Sequence, residues 1–161
     1  MQGGYHLVQQ SVVSAATKID FLNLVQNTRY FIYYQLVNGT NAQYLTMLTS
    51  FDNGANWEST NYQGGIQSWA AYNSATITNT NSNTFFYISD LSSNTRHAEG
   101  EIHISIGQYT SFFGEGITLV GAGSKLVDMQ GYMATSSVVN ALRIVATSGS
   151  LTGRCSLYKV I

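Results

Sequence analysis

The chain has 161 residues, enough for one domain with a core and too few for a six-bladed propeller. Charged residues make up only 9% against about 25% in typical soluble domains, and the formal net charge is −1. With no Lys/Arg cluster anywhere, phosphate-driven binding to nucleic acid is not expected.

The polar content is uncharged instead: Ser, Thr and Asn supply roughly three residues in ten. With 11 Tyr, 7 Phe and 15 Gly, the chain is rich in strand formers and turn formers. A hydrophobic share of 44% repays the entropy of ordering, so disorder is not expected. The opening residues, MQGGYHLVQQ, lack a basic and an apolar secretory region, and no apolar run reaches a membrane span.

Taken in order, the strands predicted first are 5–13 (YHLVQQSVV) and 17–25 (TKIDFLNLV), the second with partial alternation at Ile19 and Phe21. Residues 29–37 (RYFIYYQLV) follow and end at Asn38-Gly39, a hairpin signal. Residues 43–51 (QYLTMLTSF) end at a second, Asp52-Asn53-Gly54, and NWESTNYQ continues beyond it. Strands are then predicted over 68–78 and 84–91, with an Asn/Ser/Thr loop between them. EGEIHISIG alternates cleanly over 99–107. The Gly-rich stretch 114–125 reads as a separator before LVDMQGYMAT, and VVNALRIVAT and TGRCSLYKVI close the chain as a pair around Ser148-Gly149. About ten strands at this spacing, without an amphipathic helix or an internal repeat, predict an all-β fold. The expected architecture is a single domain, 1–161, forming a two-sheet β-sandwich of jelly-roll type, with a shallow barrel as the alternative.

Four features carry chemistry. Ser50-x-Asp52-x-Gly54-x-x-Trp57 has the order of the Asp-box, the small hairpin of sialidases and other sugar-processing propellers. That motif is structural and recurs once per blade; here it occurs once, and Arg29, Arg96, Arg143 and Arg154 are scattered rather than clustered to clamp a carboxylate. The turn reads as a hairpin covered by Trp57, and a calcium loop lacks its acidic ladder. In the second feature, His97, Glu99, Glu101 and His103 stand at spacing two, which puts all four on one strand face and Ala98, Ile102 and Ile104 on the other. The residue types suit a divalent metal, but alternate residues lie roughly 7 Å apart, so one ion reaches two of them at best. A solvated face or a subunit contact is expected there, with no bound metal, no cofactor and no acid–base role for Glu99 and Glu101. Third, Trp57, Tyr62, Trp69 and Tyr72 interleave with amides, as a sugar-stacking surface does, and also as a core or an interface does. Finally, Cys155, the only cysteine, reads as a buried thiol rather than a nucleophile, and a lone cysteine excludes both an intrachain disulfide and a cysteine zinc cage.

The C-terminal stretch VVNALRIVATSGSLTGRCSLYKVI resembles the closing strands of a family of small tailed-bacteriophage virion proteins. These end in a penultimate strand, a Gly-marked hairpin and a Leu-Tyr-Gly strand. The matching residues are Leu142, Ile144, Gly149, Leu151, Gly153, Leu157 and Tyr158; Lys159 replaces the family's glycine, and Val160 and Ile161 complete the chain. Upstream, YHLVQQSVVSAATKIDFLNL and LTSFDNGANW followed by NYQ are similar to the family too, which often shows Ser-x-Asp-Gly-Gly before Trp and Tyr. The resemblance implies a non-enzymatic β-sandwich component of a bacteriophage virion: a tail-fibre, host-attachment or capsid-decoration protein. Its expected partners are further copies of itself, as a homotrimer, other capsid or tail proteins, and host surface glycans, with no nucleic acid and no membrane insertion. Its expected place is the virion, after assembly in the host cytoplasm. The alternative is a carbohydrate-binding module working through Trp57, Tyr62, Trp69 and Tyr72; a metal-dependent or glycan-cleaving enzyme is a third reading.

Overall fold

The computed structural model describes residues 4–38, 44–70, 77–90, 97–120 and 123–161. Among them the chain forms twelve strands and no helix: β1 (Tyr5–Ala16), β2 (Lys18–Phe21), β3 (Thr28–Asn38), β4 (Tyr44–Ser50), β5 (Tyr62–Ala70), β6 (Ile77–Asn81), β7 (Phe86–Asp90), β8 (His97–Ile106), β9 (Thr110–Val120), β10 (Gly123–Met133), β11 (Ala141–Ala146) and β12 (Leu151–Val160). They build two antiparallel sheets. The larger has eight strands in the order β1-β12-β3-β8-β9-β10-β5-β6, and the smaller has four, β2-β11-β4-β7.

From β2 onward the chain alternates between the sheets: β2 small, β3 large, β4 small, β5 and β6 large, β7 small, β8 large. This is the course of a jelly roll. The hairpin β9–β10 interrupts it, inserted into the large sheet between β8 and β5 before β11 returns to the small one. The insertion gives the large sheet eight strands against four, and its inward side chains Phe112, Thr118, Val127 and Met129 are buried.

Alternation decides which side chains enter the core. In β8, Ala98, Ile102, Ile104 and Ile106 are buried while His97, Glu99, Glu101 and His103 face outward. Ile32, Tyr34 and Leu36 of β3 and Cys155 and Leu157 of β12 meet Phe21, Met47, Leu142 and Ile144 of the small sheet in one core. Tyr34 explains two glycines inside strands. It stands in register with Gly100, which pairs in turn with Gly116, and a Cβ on either glycine would come within 2.6 Å of the Tyr34 hydroxyl. The ring therefore lies over a floor that only glycine can provide.

Several expectations need correcting. Residues 114–125 are not a separator, because most of them form β9, where Gly116 answers to that close approach and Gly114 to the Glu101 backbone carbonyl that a Cβ would strike. The strand expected from Asn56 begins only at Tyr62. None of the three turns makes a hairpin between sheet neighbours. The pairs β3/β4, β4/β5 and β11/β12 each divide between the two sheets. Gly39, of the Asn38-Gly39 turn, lies outside the described residues. Beyond the other two turns the chain crosses from one sheet to the other, so the next strand does not pair with its predecessor.

Leu142, Ile144 and Leu157 are fully buried, as their spacing predicts, and Tyr158 points to the other face against Phe31 at 5.9 Å between rings. Cys155 is buried, and desolvation pushes its thiol pKa upward, so the thiolate that a nucleophile needs is disfavoured.

Candidate functional site

The outer face of the large sheet is the surface with the most unusual chemistry. Cross-strand register lines up Leu7, Tyr158, Phe31, His103, Phe113 and Gln130 in one row from β1 to β10. The rings in and beside that row touch in sequence. Tyr5 lies 5.4 Å from Phe31, Phe31 lies 5.1 Å from His103, and His103 stacks on Phe113 at 4.6 Å with the planes 4° apart. Tyr5 and Phe113 are each 60% exposed, so this aromatic ridge is left to solvent. A groove of about 400 Å³ runs beside it between Arg29, Tyr30, Ser105 and Val160.

The next row carries charge. Glu101 of β8, Glu115 of β9 and Asp128 of β10 stand directly opposite one another on adjacent strands, where like charges oppose pairing. Glu99 lies beside them, and a shallow depression of about 610 Å³ is lined by these carboxylates with Tyr33, Ile117 and Leu126. The Tyr33 hydroxyl donates to Glu99 Oε1. That bond holds the Glu99 carboxyl below its usual range and the Tyr33 hydroxyl above its own. Beyond the carboxylates the face turns apolar again at Ile117, Leu119 and Leu126, all exposed.

His97, Glu99, Glu101 and His103 share one face, as their spacing of two requires. They pair off along the strand: His97 Nε2 lies 3.4 Å from Glu99 Oε2, and His103 Nε2 lies 3.2 Å from Glu101 Oε1. Among the described residues no group of three or more His, Cys, Asp or Glu is placed to hold a metal ion. The carboxylates nearest this strand in space, Glu115 and Asp128, come from β9 and β10 and could be found only through register.

Of the four aromatic residues expected to bind ligand, the side chains of Trp57 and Tyr62 are described. Tyr62 is 1% exposed. Its hydroxyl accepts from the Thr49 backbone N–H at 2.8 Å and donates to the Glu58 carbonyl at 3.2 Å, so it is a core residue and cannot stack on an external ring. Trp57 is half-buried beneath Arg143, whose guanidinium carbon sits 4.1 Å above the ring. Arg143 is held there by a bidentate pair with Asp20, at 2.6 and 2.8 Å. The backbone of Trp69 belongs to β5, and Tyr72 lies outside the described residues.

The Ser50–Trp57 turn is a brace. Ser50 Oγ donates to Asp52 Oδ1 at 2.7 Å and accepts from the Gly54 N–H at 2.9 Å, while the Asn56 backbone and side-chain amides donate to the Asp52 carboxylate at 2.8 and 2.6 Å. Asn53 takes φ +57° and bridges to Asn23, while its N–H donates to Asn140 Oδ1 at 2.7 Å. One turn thus ties together the loops before β3 and before β11. Led by the Asn56 backbone bond, these donors lower the Asp52 pKa to about 2 from 3.8. A depressed carboxylate contributes stability that is present above its unfolded pKa and is lost as pH falls through its folded one. The expected result is that Asp52→Asn melts below the wild type at neutral pH. The gap should close between about pH 4 and pH 2 in melting curves taken across that range. A gap independent of pH would show that the carboxylate's charge is not what holds the turn.

Comparison of the chain with family models, curated proteins and solved structures finds no match.

Proposed function

We propose that the chain is a non-enzymatic structural component of a bacteriophage virion. It is exposed on the particle as a tail-fibre, attachment or capsid-decoration protein, and it works as a homotrimer through protein–protein contacts. The observation that carries the mode of action is the exposed aromatic ridge Tyr5, Phe31, His103 and Phe113; Ile117, Leu119 and Leu126 form a second exposed apolar patch beyond the row Glu101, Glu115 and Asp128. Exposed apolar side chains grouped on a rigid sheet are what self-association buries. The virion itself enters through the resemblance of the closing strands.

Light scattering of the purified chain at micromolar concentration is expected to give a trimer. Tyr5→Ser with Phe113→Glu changes two exposed side chains and is expected to yield a monomer with an unchanged melting temperature. A strictly monomeric wild type would overturn the self-association. Cryo-EM of the intact particle locates the protein on head or tail, and its absence from every particle would overturn the virion assignment.

A further inference from the structure

Asn53 is followed by Gly54, a pair whose own atoms react in an unfolded chain. Glycine has no Cβ to shield its nitrogen. The Gly54 backbone nitrogen, having given its proton to hydroxide, can therefore attack Asn53 Cγ. The N–Cγ bond forms, the Cγ–Nδ2 bond breaks, and ammonia leaves with a proton from water, which closes a cyclic imide. Water then adds to one of the two imide carbonyls, and breaking that carbon–nitrogen bond leaves aspartate or isoaspartate. Asn53 is exposed, so water and hydroxide reach it. The fold nevertheless opposes both partners of the first step. The Gly54 N–H donates to Ser50 Oγ at 2.9 Å, which ties up the proton that must leave. The Asn53 carboxamide is held at both ends by one residue: Nδ2 donates to Asn23 Oδ1 at 2.9 Å, and Oδ1 accepts from the Asn23 N–H at 2.7 Å. Turning Cγ toward the Gly54 nitrogen breaks both bonds. Asn140 holds the backbone ahead of the pair, accepting from the Asn53 N–H and donating from its side-chain amide to the Phe51 carbonyl at 2.9 Å.

We infer that Asn53 is a site of spontaneous deamidation that the folded turn keeps closed, with Asn23 and Ser50 as its guards. The reaction proceeds from brief openings of the turn, at a rate set by how often both guards let go. It is also one-way. An aspartate at 53 has no N–H for Asn23 Oδ1, so two oxygens face each other where a hydrogen bond stood, and a second carboxylate stands next to Asp52. An isoaspartate routes the backbone through an added methylene, which carries the Gly54 N–H away from Ser50. Either product loosens the tie between this turn and the loop before β3. None of this depends on what the chain binds.

Peptide mapping by mass spectrometry follows the products at residue 53 in the wild type, incubated folded and in urea in the same mildly alkaline buffer. Conversion is expected to be at least about tenfold slower in the folded protein, because three hydrogen bonds must open first. Asn23→Gly removes the side-chain guard and still allows the backbone its φ of +59°. It is expected to convert about fivefold faster than the folded wild type. Ser50→Ala, which frees the Gly54 N–H, is expected to convert faster as well. The converted fraction of the wild type, separated by ion exchange, is expected to melt below the unconverted one. The guarded site is overturned if residue 53 fails to convert in urea, or if the folded wild type converts as fast as the unfolded, comparisons that need no variant. It is overturned equally if neither variant converts faster than the folded wild type. A converted fraction that melts with the unconverted one would overturn the loss of the tie to Asn23.

Discussion

A chain ending at Ser156 is expected not to fold. Residues 157–160 end the strand on which the large sheet is organised, since β12 lies between β1 and β3, and Ile161 follows it. Removing them takes away Leu157, which is fully buried, and the partners of Tyr5, His6, Leu7 and Gln9 on one side and of Tyr30, Phe31 and Ile32 on the other. The lost leucine alone contributes about 2–5 kcal/mol. The broken ladders add buried N–H and C=O groups without partners, at about 1–3 kcal/mol each. Against a total stability of about 5–15 kcal/mol this leaves nothing cooperative. Circular dichroism on heating is expected to show no unfolding transition. The single change Leu157→Ala should keep a two-state transition and lose about 3 kcal/mol. A truncated chain that melts at the wild-type temperature would show that the closing strand is not central, and the resemblance built on it would lose its physical basis.

Gly153→Ala is expected to lose about 4 kcal/mol in urea unfolding, far more than an added methyl group does elsewhere. Gly153 sits inside β12 between Val13 and Leu36, with φ at +138°, a conformation that side chains rarely adopt. A Cβ there would lie 2.2 Å from the Gln35 carbonyl oxygen, a backbone atom of the central strand β3 that cannot step aside. Backbone strain of about 1–3 kcal/mol and overpacking of a similar size therefore add. Gly149 offers the contrast: φ is +80°, but it lies in the exposed connection before β12, and alanine there should lose only about 1 kcal/mol. Equal losses at the two glycines would mean that β12 is not clasped between two strands.

Gly149, Leu151, Gly153 and Leu157, which carry the resemblance to virion proteins, now have separate physical reasons. One glycine serves a connection between sheets, one serves a close approach inside a strand, and the two leucines fill the core. The Asp-box order at Ser50–Trp57 is likewise legible as a self-bonded turn, and it is one. Its further work, holding Asn23 and Asn140, could not be read, because those residues are 30 and 87 positions away from Asn53. The outward set His97, Glu99, Glu101 and His103 was visible from spacing alone, while the row from Glu101 through Glu115 to Asp128 was not.

By itself the sequence determined the all-β class, the face on which most side chains lie, and the places where the backbone must turn. Those follow from period-two alternation and from Asn and Gly at positive φ, which are properties of a few adjacent residues. The tertiary structure alone decided which strands are neighbours. Asp52-Asn53-Gly54 and Ser148-Gly149 carry the local chemistry of hairpin turns, yet each leads from one sheet to the other. A turn fixes only the reversal of the chain. Whether the next strand pairs with the last or crosses the core depends on where its apolar face is best buried, and that is settled by residues a hundred positions away. The exposed aromatic ridge and the open β1 edge are products of that choice: inserting β9 beside β8 brought Phe113 onto His103 on the outer face, and placing β12 between β1 and β3 left β1 outermost.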